Sequence, residues 1–292
     1  LRASGYLARV ADLSINGVTP GDVARAVKAG ELFRVTRGWV ATPTASQSAV
    51  LAVVHRGKLT GPTALASCGI WDGGDRRIHV QVARHSVGRP KVLATPIARY
   101  RAPNFAPTGL VRHWTNELHP VWTDPSWRVS VVDALSVTAR AVPRDQFIAC
   151  VDSALHNRQL DQRGVTALSV ALPDRLRGAL RTVDARAESG LESLARVRLA
   201  PLARSVELQV PMPGIGNGGR DGRVDILLNG WLAIELDGDE FHTLAQNRLR
   251  DAAIVQLGRR VHHFGYHQVV NDWTSVEATV TELLRYPPAG TN

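Results

Sequence analysis

Lysine and cysteine are scarce in this chain of 292 residues, and each scarcity excludes a kind of site. The two cysteines, Cys68 and Cys150, are far apart and form no CxxC pattern, which argues against a disulfide scaffold and a cysteine-based zinc site. No lysine lies beyond residue 91, so no mechanism in the remainder of the chain can use one. No apolar run approaches the roughly 20 residues that a membrane span needs. We expect a cytoplasmic protein without a membrane partner.

Charge is distributed unevenly along the chain. Residues 1–180 contain 23 Lys and Arg against 12 Asp and Glu, whereas residues 181–292 contain 12 against 14. A basic front joined to a slightly acidic back indicates one part that binds a polyanion and another that concentrates carboxylates. An Arg-rich proteome would explain the same excess without a nucleic-acid partner.

Residues 1–58 predict a winged-helix DNA-binding domain. Thr19, followed by proline, begins a helix over 21–29, and short strands over 32–36 and 39–41 follow it as a wing. This order places four basic residues where such domains contact DNA phosphates: Arg25, Lys28, Arg34 and Arg37. A small helical domain with a solvated basic face is the alternative.

Residues 59–183 predict a middle α/β domain without a catalytic constellation. We expect helices over 62–67 and 146–157 and a strand over 77–82. The scattered histidines of this region are interpreted as structural or surface residues: His79, His85, His113 and His119.

Residues 184–292 predict a third, α/β domain with a central mixed sheet, which makes the chain an α/β multidomain protein. The pattern indicates helices over 189–199 and 244–257, and strands over 205–210, 223–228, 231–236 and 261–265. The glycine-rich loop over 214–222 lacks the GK[ST] ending of a phosphate-binding loop, which excludes a nucleoside triphosphate site.

The predicted hairpin around the Asn-Gly pair at 229–230 has two registers. A two-residue turn, which Asn-Gly favours, puts the apolar sets of the two strands on opposite faces. A slip of one residue, through a three-residue loop or a bulge, pairs Leu228 with Leu232 and brings Asp225 opposite Glu235. Because burial usually sets the register, we predict the slipped form, with three carboxylates on one face: Asp225, Glu235 and Asp237.

Carboxylates a few ångströms apart repel one another, and such clusters usually exist because a divalent cation binds among them. Oxygen ligands alone suit Mg²⁺ or Mn²⁺ rather than zinc, and such an ion polarises a phosphoryl oxygen and generates a nucleophilic water. The alternative is a solvated polar sheet face on which Asp237 belongs to a turn. We predict the metal site.

Glu192 has two interpretations at this point. Ser189 and Glu192 match a capping box at the start of a helix, with the serine as N-cap and the glutamate at N3. Capping explains Glu192 without any chemistry, although the two roles are compatible.

Spaced motifs run through residues 188–285 in a definite order: Ser189-x-x-Glu192, Gln209, Arg223-Val-Asp225, Glu235-x-Asp237-Gly238 with His242, Arg250-Asp251, and Leu257 with Val261. Together they resemble the PD-(D/E)XK nucleases, and more closely the branch related to very-short-patch repair endonucleases. The resemblance implies a restriction-endonuclease-like fold and a Mg²⁺-dependent (or Mn²⁺-dependent) phosphodiesterase acting on DNA.

The same resemblance implies roles for individual residues. Asp225 and Glu235 would bind the metal, the carbonyl of Leu236 would be an extra ligand, and Glu192 would act through the metal or its water. Gln209 is expected to position the water or to satisfy its strand neighbours. Arg250 is expected to neutralise the scissile phosphate or to pair with a carboxylate.

The proton carrier is where this chain departs from the superfamily. Asp237 stands where a lysine is usual. The very-short-patch branch also lacks that lysine and uses histidine, so His242 is the candidate proton carrier. His262 and His263 are interpreted as structural.

The wing string Gly30-x-Leu32-x-Arg34-Val35-x-Arg37-Gly38 carries a second, weaker resemblance. Residues 5–41, with segments 62–71 and 78–82, look like the winged helix and following domain of AbiE-type antitoxins. This resemblance implies DNA binding and does not by itself imply a toxin partner; a toxin partner and a homodimer stay open.

Two functions follow. The first is a DNA endonuclease in which the winged helix docks the duplex and the C-terminal domain cuts it. The second is a non-catalytic, antitoxin-like DNA-binding regulator with a degenerate nuclease fold. The complete carboxylate set favours the first, and the missing lysine favours the second.

Overall fold

The computed structural model describes residues 5–83, 109–121, 123–216, 220–237 and 244–289. In chain order the elements are β1 (Leu7–Arg9), α1 (Val10–Ile15), α2 (Pro20–Lys28), β2 (Phe33–Thr36), β3 (Trp39–Ala41), α3 (Gln47–Val54), β4 (Lys58–Leu59), α4 (Gly61–Ala66), β5 (Ile78–Val82), β6 (Leu110–Trp114), α5 (Val131–Ala141), α6 (Arg144–His156), α7 (Gln162–Ala171), α8 (Asp174–Arg177), a 3₁₀ helix (Gly178–Thr182), α9 (Gly190–Leu199), β7 (Val206–Met212), β8 (Gly222–Leu228), β9 (Leu232–Asp237), α10 (Leu244–Gln256), β10 (Arg260–Gly265), α11 (Tyr266–Asn271) and α12 (Trp273–Leu284).

The chain forms two compact units. The first contains Leu1–Pro143 and Leu160–Pro173, and the second contains Arg144–Gln159 and Asp174–Asn292. The predicted α/β class is confirmed. The predicted boundaries at residues 58 and 183 stay predictions, since one compact unit can hold more than one domain.

The first unit begins with a three-stranded sheet in the order β1-β3-β2, flanked by α1 and α2. The side chain of Thr19 accepts a hydrogen bond from the N–H of Asp22, which caps α2 as expected. Val23 of α2 packs with Leu13 and Val40 in a small core. The helix predicted over 21–29 and the two short strands predicted after it are present as α2, β2 and β3; β1, only three residues long, was not predicted.

A second sheet of the first unit has the order β4-β5-β6, with β5 and β6 parallel. Two of the scattered histidines meet there: Nδ1 of His79 lies 2.9 Å from Nε2 of His113. Nε2 of His79 lies 3.1 Å from Oδ2 of Asp75. His79, the central residue of this row of three polar side chains, is buried. His85 lies outside the described residues.

The second unit is built on a four-stranded mixed sheet in the order β10-β9-β8-β7. All four strands and the helices α9 and α10 were predicted within two residues of their observed ends. The helix α6, predicted within the middle region, packs against α9 in this unit, where Arg198 pairs with Asp145 at 2.6 Å. In the described part of the chain, no helix has the length and apolar character needed to cross a membrane.

Candidate active site

The hairpin between β8 and β9 adopts the predicted slipped register. Leu228 pairs with Leu232, and Ile226 pairs with Ile234. Asn229 and Gly230 both have positive φ, at 50° and 74°, as an Asn-Gly turn requires. The N–H of Trp231 donates to the carbonyl of Leu228 at 3.0 Å, so Trp231 is the extra residue that shifts the ladder.

A row of polar residues crosses the sheet because of this register. Continuing the hairpin pairs by one residue places Asp225 opposite Glu235. The flanking pairs of β7 and β8 place Gln209 opposite Asp225, and the parallel pairing of β9 with β10 makes His263 the partner of Glu235. The sequence predicted the central pair, whereas it gave no signal for His263, because nothing in it reveals the β9–β10 register.

The face that carries this row is partly a core. Leu227 and Ala233 lie on the same face as Asp225 and Glu235, and both are buried against Ile254 of α10. The carboxylates therefore lie at the edge of an apolar layer rather than on an open polar face. This burial determines their electrostatics.

Asp225 is a half-buried carboxyl with a hydrogen bond to the neighbouring strand. Its Oδ2 accepts a hydrogen bond from the N–H of Leu236 at 2.9 Å. Burial raises the pKa of Asp225 to about 6, and the nearby charge of Glu192 adds to the increase.

Glu235 is 7% exposed and is bound by Arg250 of α10. Nη2 of Arg250 lies 2.9 Å from Oε1 and 3.1 Å from Oε2 of Glu235. Burial raises the pKa of Glu235 to about 7, repulsion from Asp225 adds to this, and Arg250 opposes it. The pairing of Arg250 with a carboxylate was one of its two predicted roles.

Only the serine half of the predicted capping box forms at Glu192, whose carboxylate accepts from Glu188 instead of Ser189. The N–H of Glu192 donates to Oγ of Ser189 at 3.1 Å, the serine half of the predicted capping box. Its Oε2 accepts from the N–H of Glu188 at 3.0 Å and from Nε2 of Gln209 at 2.8 Å. Gln209 reaches this position from a left-handed conformation, φ 52°, that is uncommon for a residue other than glycine within a strand.

Asp237 is exposed at the end of β9, and Nδ1 of His263 lies 3.4 Å from its Oδ1. Nε2 of His263 lies 3.0 Å from Oδ1 of Asp251. Burial lowers the pKa of His263, but the two aspartates outweigh burial and raise it overall. His263 is thus a further charged group beside Glu235.

The remaining residues predicted for the site lie in the first unit or outside the residues that the structure describes. His242 lies outside the described residues. The four basic residues that were predicted to contact DNA from the first unit are all exposed: Arg25, Lys28, Arg34 and Arg37. Arg25 pairs with Asp22 of its own helix. On the second unit, an open pocket of about 490 Å³ is bordered by Gln209, Glu188 and Arg223, and its lining includes neither Asp225 nor Glu235.

The fit of a divalent cation can be judged from the donor atoms. Within the described ranges, no group of three or more His, Cys, Asp or Glu side chains is arranged to hold a metal ion. The chemistry of Asp225 and Glu235 nevertheless suits Mg²⁺ or Mn²⁺, because two mutually repelling carboxylates at the edge of an apolar layer need a counter-charge. In this arrangement Arg250 provides part of it.

No protein-family model matches this chain, and a search of curated proteins finds no match. The function is therefore argued from the residues and their geometry.

Proposed function

We propose that the second unit is a metal-dependent DNA endonuclease that hydrolyses phosphodiester bonds. The observation that carries the proposal is the cross-strand pair of the half-buried Asp225 and the buried Glu235. Both pKa values are raised, and the charge of Glu192 adds to the increase at Asp225. Folding such a pair costs stability, and groups arranged at such a cost are typical of functional sites.

Each residue has a role in this proposal. Asp225 and Glu235 would hold Mg²⁺ or Mn²⁺, together with the Leu236 carbonyl and Glu192. When bound, the ion supplies a polarised phosphoryl oxygen and an activated water. Gln209 donates to Glu192 and so orients this carboxylate for water positioning. Asp237 sits at the rim, beside His263.

Proton transfer and substrate docking fall to other groups. His242 is the proposed proton carrier, in place of the lysine that the chain lacks. Four exposed basic residues of the first unit would bind the DNA backbone: Arg25, Lys28, Arg34 and Arg37. Such phosphate contacts fix the position of the duplex but do not read its sequence.

The test is a nicking assay on supercoiled plasmid with Mg²⁺ or Mn²⁺. Wild-type protein and the control Asp272→Asn, an exposed aspartate of the same unit, are expected to nick the plasmid. Asp225→Ala is expected to leave it supercoiled. Equal cleavage by wild type and Asp225→Ala would refute the proposal.

A second candidate is a non-catalytic DNA-binding regulator. The observation that favours it is the pairing of Glu235 with Arg250, which satisfies one carboxylate without any metal. In that case wild type and Asp225→Ala would bind DNA equally and neither would cut it with any metal. Filter binding carried out beside the nicking assay separates the two candidates.

A further inference from the structure

Arg250 contacts both carboxylate oxygens of Glu235 through two of its side-chain nitrogens. Nη2 bridges both carboxylate oxygens, Nε lies 3.3 Å from Oε1, and Nη2 also donates to the carbonyl of Arg223. The Glu235 side chain is 9% exposed, whereas that of Arg250 is 29% exposed. The guanidinium therefore reaches a buried carboxylate from a position that still meets solvent.

The charges around the sheet explain why this contact matters. Arg223 is already paired with Glu188 at 2.7 Å, and no lysine exists in this part of the chain. Among the residues that the structure describes, Arg250 is the arginine whose charge acts on both Asp225 and Glu235. It occupies the electrostatic position that a divalent cation between those carboxylates would need.

A cation and a guanidinium compete for the same carboxylate. A divalent ion held by Asp225 and Glu235 would compete with Arg250 for the carboxylate oxygens of Glu235, and its charge would repel the guanidinium. The displaced group would carry its donors to the solvent side of the site. A guanidinium matches the geometry of a phosphate with two parallel hydrogen bonds.

We propose that Arg250 is an exchangeable counter-ion: a divalent cation displaces it from Glu235, and the released guanidinium binds a phosphate of the DNA substrate. This inference rests on the proposed function and adds an order of events to it, cation first and phosphate second. Arg250 is then a competitor of the metal in the free protein and a substrate-binding residue in the complex.

A purely structural Arg250 predicts the opposite effect on metal binding. A brace orients Glu235 for the ion, so its removal weakens cation binding. A competitor excludes the ion, so its removal strengthens binding. The direction of the change in cation affinity therefore distinguishes the two roles.

The experiment measures Mn²⁺ binding to the DNA-free full chain through loss of the free-ion electron paramagnetic resonance signal. Arg250→Gln is expected to bind Mn²⁺ roughly three- to tenfold more tightly than wild type, the effect of removing one partly screened charge. Arg250→Lys retains the charge and is expected to bind like wild type. Arg248→Gln, an exposed arginine of the same helix, is the matched control and should not change binding.

The second readout is plasmid nicking at saturating Mn²⁺, where both Arg250 variants are expected to be at least about tenfold slower, because a phosphate contact is lost. Weaker or unchanged Mn²⁺ binding by Arg250→Gln overturns the exchange. If neither wild type nor Arg250→Gln binds Mn²⁺, the metal-dependent function itself is refuted. If Mn²⁺ binds and only the exchange fails, the proposed function survives.

Discussion

The two units each bury a polar cluster on a sheet, and the two clusters balance charge differently. In the first unit, burial alone would raise the pKa of Asp75, but hydrogen bonds from Arg77 lower it to about 2. His79 and His113 are kept neutral, since burial lowers both of their pKa values, that of His113 to about 4. Every charge in this cluster has a close partner.

The cluster of the second unit is not balanced in this way. The half-buried Asp225 lies opposite the buried Glu235, and their pKa values are raised to about 6 and 7. Arg250 contacts Glu235 and acts on Asp225 through its charge. A buried polar cluster that closes its own hydrogen bonds is sufficiently explained by folding. One that leaves charge uncompensated is a candidate binding site, which is the basis of the proposed function.

The largest expected effect is on the rate of plasmid nicking, which should fall in a variant of the second unit's cluster and not in a variant of the first unit's cluster. Glu235→Gln should slow plasmid nicking by about 100-fold or more, because a lost metal ligand removes several kcal/mol of transition-state stabilisation. His113→Gln should leave the nicking rate within about twofold of wild type. A comparable loss in both variants would remove the distinction between a structural and a functional cluster.

Stability should change in opposite directions in the two clusters. Asp225→Asn keeps the acceptor for the Leu236 N–H and removes a buried charge, so at about pH 8 it should stabilise the protein by on the order of 2 kcal/mol. His79→Ala leaves Asp75 and His113 without a shared partner and should cost about 2 kcal/mol. Urea unfolding measures both changes; destabilisation by Asp225→Asn would contradict the strained-site account.

The pH dependence of the two units should also have opposite signs. The raised pKa values mean that folded Asp225 and Glu235 retain protons that the unfolded chain has lost, so the second unit gains stability as the pH falls from about 7 towards 5. The lowered pKa values of His79 and His113 mean that the unfolded chain binds protons first below about 6.5, so the first unit loses stability.

Hydrogen exchange resolved by peptide, corrected for the intrinsic effect of pH, compares the two units in one sample. Between pH 7 and 5 we expect protection to rise in the second unit by on the order of 3 kcal/mol and to fall in the first by on the order of 2 kcal/mol. Changes of the same sign in both units would contradict the assignments of charge.

The smallest expected effect concerns the basic residues of the first unit. Arg34→Ala or Arg37→Ala should weaken DNA binding roughly threefold and lower the log–log salt slope by about 0.9 for each lost phosphate contact. Arg140→Ala, an exposed arginine on α5, is the control. If the salt slope of DNA binding is unchanged in Arg34→Ala and Arg37→Ala, the DNA contact lies elsewhere.

Much of the second unit could be predicted from the sequence because its signals are local. The Asn-Gly turn located the hairpin, and the requirement to bury Leu228 and Leu232 together selected the register that pairs Asp225 with Glu235. Helix α9 was located by its capping box.

The rest depends on contacts between distant residues, which no local pattern encodes. The Arg250–Glu235 pair and the His263–Glu235 register arise only when α10 and β10 pack on the sheet. The left-handed conformation of Gln209 violates strand preference and could not be expected. The packing of α6 against α9 likewise joins segments that the sequence separates by a long interval.

The most direct test of the central claim is Mn²⁺ binding by wild type, Asp225→Asn and the control Asp272→Asn at about pH 8. Wild type and the control should bind one ion per chain with equal affinity, whereas Asp225→Asn should bind at least about tenfold more weakly because one carboxylate ligand is lost. Equal binding by all three proteins would show that Asp225 and Glu235 do not form a cation site.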